Sequence, residues 1–191
     1  MKTTKFIVIT GGPGAGKTAI LETIKKMSLP STVVLPEAAS IIFNGGFWRL
    51  PSITAKASAQ RAIYYIQKEM ETLAREEQEW NFALCDRGSL DGLAYWPYKE
   101  ELFWNMSNSD LKSELSKYSA VIHLRTPPDN FGYNHQNPLR VESAEIALEI
   151  DNKIALVWKE HPNYRSIDYN KNFLTKAEMA IDHIKSLQKN I

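Results

Sequence analysis

The chain has 191 residues, 43% of them hydrophobic and 24% charged, which suits one well-buried soluble domain and leaves little room for two. Twenty-three Lys and Arg against 22 Asp and Glu give a net charge of +1, so no global field favours nucleic acid or an anionic membrane, and any anion site must be local. The single cysteine, Cys85, excludes an intrachain disulfide. No apolar run reaches the length of a membrane span or signal-peptide core, which makes the cytoplasm the expected compartment.

Residues 6–10, FIVIT, form a short β-branched run without alternation, the pattern of a strand buried on both faces. TGGPGAGKTA follows at residues 10–19 and satisfies G-x-x-x-x-G-K-S/T at every required position. Downstream, Ala19, Ile20, Ile24 and Met27 recur at helical spacing until Pro30. A strand, a glycine-rich loop and a helix in that order make a phosphate cradle, because the loop amides and the helix N-terminus converge on an anion. Gly11, Gly12, Pro13, Gly14, Ala15, Gly16, Lys17, Thr18 and Ala19 are therefore the candidate nucleotide-binding set. Lys17 supplies a point charge for the β and γ phosphates, and the Thr18 hydroxyl a ligand for Mg²⁺.

A second strand is expected at 32–38, then a broken, glycine-interrupted stretch whose Phe47 and Trp48 could stack on a planar acceptor. One long helix is predicted from Ile53 to about Glu79, with Gln60 and Gln67 on a common face that could read the acceptor's polar edge. Residues 81–86 give a third strand ending at Asp86, 95–104 helical pieces, and 119–124 a fourth strand. The proline-interrupted segment from Arg125 to about Arg140 reads as a small lid. A helix at about 141–160, a fifth strand at 166–169 and a closing helix at 175–189 complete the chain. Alternation of this kind predicts a single three-layer α/β domain: a parallel five-stranded sheet with helices on both faces.

Ligands in such sheets bind beyond the carboxyl ends of the strands, so Gly11, Glu37, Asp86 and Arg125 should meet in one pocket. Phosphoryl transfer needs a held metal, neutralised charge and an aimed acceptor hydroxyl. Asp86 is the candidate second ligand of Mg²⁺, Glu37 the candidate acceptor of the hydroxyl proton, and Arg87, Arg125 and Arg140 the candidate charge stabilisers. The four histidines lack metal-ligand spacing, so no zinc site is expected.

The combination of GGPGAGKT, LPEAA, a helix with two spaced glutamines, CDRG and a lid followed by RVESAEIALEID resembles a P-loop kinase-like family. It includes the nicotinamide riboside kinase domain of NadR-type regulators and related AAA-domain proteins. More distantly the chain is similar to thymidylate and deoxynucleoside kinases. The resemblance implies a P-loop NTPase fold in which Lys17 and Thr18 serve ATP and Mg²⁺, Asp86 and Arg87 form an acidic-Arg pair, Glu37 is the catalytic or acceptor-binding glutamate, and Arg140 belongs to the lid. After Glu37 the sequence reads AAS, where nicotinamide riboside kinases carry Tyr-Ala-Arg.

The expected function is transfer of a phosphoryl group from Mg-ATP to a small hydroxylated acceptor, nucleoside-like or riboside-like, without nucleic acid or membrane partners. A homodimer is left open. The alternative is an ATP-binding regulatory switch that acts through a protein partner. A guanine-specific switch fits badly, since NKNF at 170–173 lacks the aspartate of N-K-x-D. A ring-forming motor would need a further helical domain.

Overall fold

The computed structural model describes residues 3–128, 143–169 and 172–190. At its centre is β1 (Lys5–Thr10), flanked by β3 (Phe82–Asp86) and β4 (Ala120–Leu124), with β2 (Thr32–Leu35) and β5 (Tyr164–Ile167) at the edges. All four pairings are parallel, in the order β2-β3-β1-β4-β5.

The three inner strands are apolar on both sides because each side meets helices. Ile7 and Ile9 of β1, Leu84 of β3 and Ile122 and Leu124 of β4 pack against α1 (Lys17–Met27) and α7 (Phe173–Asn190), through Ile20, Ile24, Ala180 and Ile184. Their alternating neighbours Phe6, Val8, Ala83, Cys85 and Val121 face the opposite layer, built by α3 (Ile53–Glu76), α5 (Leu111–Ser116), α6 (Ala144–Trp158) and a 3-10 helix (Ser89–Tyr95). Trp158 and Leu90 are wholly buried there. Cys85 is buried, and burial pushes its thiol pKa up.

The five parallel strands and their order along the chain agree with the sequence reading, but several boundaries move. The second strand stops at Leu35, and Ala38 already belongs to α2 (Ala38–Asn44). It is also an edge strand, with Thr32, Val33 and Val34 only partly buried, because it has one neighbour instead of two. The long helix closes at Glu76, α4 (Glu100–Ser107) extends past the 95–104 region read as helical pieces, and α5 follows where no element was expected. Short α5 has a cap in place of a long apolar stripe: the Ser113 N–H donates to Asp110 Oδ1 at 2.9 Å. Among the described residues, no helix is long and apolar enough to cross a membrane.

Candidate active site

Register brings the strand ends together. Ile9 stands opposite both Asp86 and Ile122, and Thr10 opposite His123, so the loops leaving β1, β3 and β4 open at one level. Leu35 pairs with Cys85, which sets Glu37, two residues later, beside Arg87.

The loop from Gly11 to Gly16 is shaped by close approach. A Cβ on Gly11, at φ +140°, would stand 2.1 Å from the Leu124 carbonyl oxygen. One on Gly16, at φ +94°, would strike the Phe173 ring at 2.6 Å. Gly16 is also the residue before α1, so the first-turn N–H groups of that helix have no helical acceptor and point out of its N-terminus. Lys17 Nζ folds across the loop and donates to the Gly11 and Gly12 carbonyls at 2.8 and 3.1 Å. Burial lowers its pKa to about 8, and the Arg87 charge adds to the shift.

Asp86 ends β3 with its side chain 9% exposed, and its Oδ1 is buried without a hydrogen-bond partner. Burial pushes its pKa up to about 6 against the opposing pull of Lys17. A buried carboxylate oxygen without a hydrogen-bond partner, at a strand end beside the loop from Gly11 to Gly16, fits a hard cation. No cluster of three His, Cys, Asp or Glu occurs among the described residues. Thr18 is exposed at the start of α1 and can supply a hydroxyl. These donors fit a magnesium nucleotide.

Arg87 adopts φ 74°, an uncommon conformation for a residue with a side chain, and its partners hold it there. Nε donates to Glu37 Oε1 at 2.6 Å, and Nη1 to the Gly11 carbonyl at 3.1 Å and Asp91 Oδ1 at 3.2 Å. The guanidinium also lies 5.7 Å from the centre of the Tyr95 ring. Burial works against its charge, but Tyr95, Glu37 and Asp91 hold it protonated. Glu37 in turn, which burial would push up, is held at about 2 by Arg87 and Lys17, with Ser40 Oγ donating to Oε2 at 2.5 Å.

The structure therefore gathers Gly11, Lys17, Glu37, Asp86 and Arg87. Arg125 is drawn elsewhere: Nε lies 3.1 Å from Asp151 Oδ2 and Nη2 donates to Asn152 Oδ1 at 2.6 Å. Arg140 and most of the expected lid lie outside the described residues. Gln67 is buried and turned to Glu71 Oε1 at 2.8 Å, so it does not face an acceptor. Phe47 meets Phe43 edge-on, and Trp48 is 77% exposed.

Several residues that support the loop carry no motif. Asp91 accepts from Thr10 Oγ1, the Gly88 N–H, Arg87 and Trp158 Nε1, fixing the turn after Asp86 from below. Asp151, wholly buried on α6, accepts the Gly12 N–H at 2.8 Å. Lys176 of α7 donates to the Ala15 and Arg125 carbonyls at 2.8 and 2.6 Å. The i, i+4 spacing of Arg87 and Asp91 was the one sequence signal among them.

A family model described as an AAA domain matches residues 6–174, most of the chain and all of the site's elements up to the start of α7. The chain belongs to this AAA-domain family. The fold of this AAA domain is similar to that of thymidylate kinase from Candida albicans, with a TM-score of 0.67 at 15% identity over 98% of this chain and 93% of that one. Deoxyadenosine kinase from M. mycoides with bound dATP aligns at a TM-score of 0.62 and 15% identity, over 95% of this chain and 99% of the other. The same enzyme with the product dCMP and a flexible dCDP aligns at 0.54 and 14%, with the same coverages. A comparison with curated proteins finds no match. At these identities the likeness concerns the fold, a P-loop kinase-like α/β architecture.

Proposed function

We propose that the protein is a kinase that transfers the γ-phosphoryl group of Mg-ATP to a hydroxyl of a small nucleoside-like or riboside-like acceptor. One observation carries this reading: two carboxylates at the mouths of neighbouring strands beside the phosphate loop are kept in opposite conditions. Asp86 has an unpartnered buried oxygen and a pKa near 6, whereas Glu37 is ion-paired with a pKa near 2.

In this reading the amides of residues 14–19 and the Lys17 ammonium grip the triphosphate, and Thr18 and Asp86 hold the metal. Magnesium bound there would supply neutralisation of the phosphate charge. Glu37 accepts a hydrogen bond from the acceptor hydroxyl and aims its oxygen along the line of displacement. A carboxylate near pKa 2 is a weak base, so its work is orientation, and the hydroxyl proton passes late to an oxygen of the transferred phosphoryl group, as a loose transition state permits. Arg87 is already held by Glu37, Asp91 and Gly11, so its charge is compensated before an acceptor docks at Glu37. That favours a hydroxyl on an uncharged acceptor over one bearing a phosphate.

The fold likeness to a deoxyadenosine kinase and a thymidylate kinase supports the class of reaction and leaves the acceptor open. The test is ADP release from Mg-ATP with a panel of nucleosides and ribosides, nucleoside monophosphates serving as the comparison. Acceptor-stimulated release confined to uncharged acceptors is expected. Nucleotide binding without stimulation by any acceptor would favour a regulatory switch, and the kinase reading would fail.

A further inference from the structure

Asp151 lies against the back of the loop that follows β1. Its Oδ1 accepts from the Gly12 N–H at 2.8 Å, from His123 Nε2 at 2.9 Å and from Thr126 Oγ1 at 3.3 Å. His123 is fixed on its other side by Tyr164, whose hydroxyl lies 2.8 Å from Nδ1. Contact with the loop is so close that a Cβ on Gly12 would stand 2.8 Å from Asp151 Cβ and 2.6 Å from Thr126 Oγ1. Although burial opposes it, the His123 hydrogen bond and charge hold the Asp151 carboxyl below its ordinary range, so it is an anion.

This anion is one peptide from where a triphosphate would sit, and left alone it would repel that ligand in a poorly screened interior. The guanidinium paired with it is that of Arg125, whose Nε lies 3.1 Å from Oδ2, an ion pair without the alignment of a hydrogen bond. Arg125 is poorly free to do anything else. Its Nη2 is tied to Asn152, its N–H donates to the Ile167 carbonyl at 2.9 Å, and its carbonyl accepts from Lys176.

We propose that Arg125 is a positioning residue for the nucleotide: it is the counter-charge of Asp151, the carboxylate that anchors Gly12, and it does not contact the transferred phosphoryl group. The proposal rests on the reading of residues 11–19 as a nucleotide site. Two roles for an arginine at the mouth of β4 are thereby separated. A charge stabiliser of the transition state acts on kcat and is indifferent to Asp151. A counter-charge acts on nucleotide affinity, and its importance disappears once Asp151 is neutral.

The experiment is a double-mutant cycle on the full chain, read as the Mg-ATP dissociation constant by titration calorimetry, after thermal melts confirm that each variant is folded. Arg125→Ala should weaken binding about tenfold, and Arg125→Lys, which keeps the charge, less than about threefold. Asp151→Asn retains an oxygen for Gly12, and in that background Arg125→Ala should cost less than about twofold. An equal loss in both backgrounds, or unchanged affinity with a fall in kcat alone, overturns the proposal. Should Asp151→Asn not fold, equal losses for Arg125→Ala and Arg125→Lys overturn it as well. If the unaltered protein binds no Mg-ATP, the nucleotide reading itself is what has failed.

Discussion

Lys17 and Glu37 show how single residues are held away from their ordinary ionisation so that a ligand can use them. Lys17 lies 7% exposed and donates to the Gly11 and Gly12 carbonyls, and burial brings its pKa to about 8. A lowered lysine pKa means that the folded state binds its proton less well than the unfolded chain, so the cost is full below pH 8 and fades as pH rises towards 10.5. Lys17→Met should abolish Mg-ATP binding and yet raise stability at pH 7 by on the order of 1–2 kcal/mol, an advantage that shrinks above pH 8. Urea denaturation at pH 7 and 9.5 checks this; a less stable variant at pH 7 contradicts it. Glu37 has the opposite sign. Burial resists its charge, but Arg87 and Lys17 bring its pKa to about 2, so its stabilisation is complete above pH 4.5 and is lost as pH falls through 2. Glu37→Gln should therefore cost about 2 kcal/mol at neutral pH, because it leaves the Arg87 charge unpaired, and the gap to the parent protein should close from pH 4.5 downward. Denaturation midpoints followed from pH 7 to pH 3 give the answer, and a pH-independent gap counts against the ion pair. These two residues were legible in the sequence because a spaced motif and the strand-end rule point at them. The loop-holding roles of Asp151, which closes the RVESAEIALEID stretch, and of Lys176 were not, because a carboxylate or ammonium on a helix looks the same whether it meets solvent or the back of a loop. Gln67 was misread for a related reason: spacing gives the shared face and not what the face touches.

Elements in this fold are located by where neighbours approach too closely for a side chain, and Gly88 is the clearest case. Its backbone, at φ −111° and ψ 171°, suits any residue, so glycine is there for space. A Cβ would stand 2.6 Å from the Trp158 ring and 2.9 Å from Val8 Cγ2, between α6, the 3-10 helix and β1. Gly88→Ala should therefore push α6 outward and cost about 2 kcal/mol by overpacking, as read from denaturant midpoints. It should also weaken Mg-ATP, because α6 carries Asp151. A variant as stable as the parent protein would show that Trp158 can turn aside. This contact explains which elements the sequence could reveal. Strands β1, β3 and β4 were legible as unbroken apolar runs because both faces are covered. Edge strand β2 was read too long: it stops at Leu35, before PEA at 36–38, whose residues are poor strand formers and lead into α2. Helix α5 spans only Leu111–Ser116, fewer than two turns, and offers too little periodicity to distinguish it from its surroundings.

For the molecule as a whole, the loop is held by side chains from otherwise separate layers. Lys176 comes from α7 on one face of the sheet, Asp151 from α6 on the other, and Thr126 from the end of β4, donating to the Pro13 carbonyl at 3.2 Å. The phosphate loop is thus a seam between the two helical layers, and whatever grips the loop should stiffen both. A ligand that binds only the folded state adds RT ln(1 + [L]/Kd), about 2.7 kcal/mol at a hundredfold excess over Kd. For a chain of this size that corresponds to a rise in Tm of roughly 5–10 °C with Mg-ATP. Because Asp86 is proposed to bind through the metal, ATP with EDTA should give a markedly smaller rise, and Asp86→Asn should remove most of the difference between the two conditions. Because the seam joins both layers, amide hydrogen exchange should slow in α6 and α7 together. Protection confined to the loop and α1 would mean that the layers are not coupled through it, and no change in Tm with any nucleotide would remove the basis for reading residues 11–19 as a phosphate site.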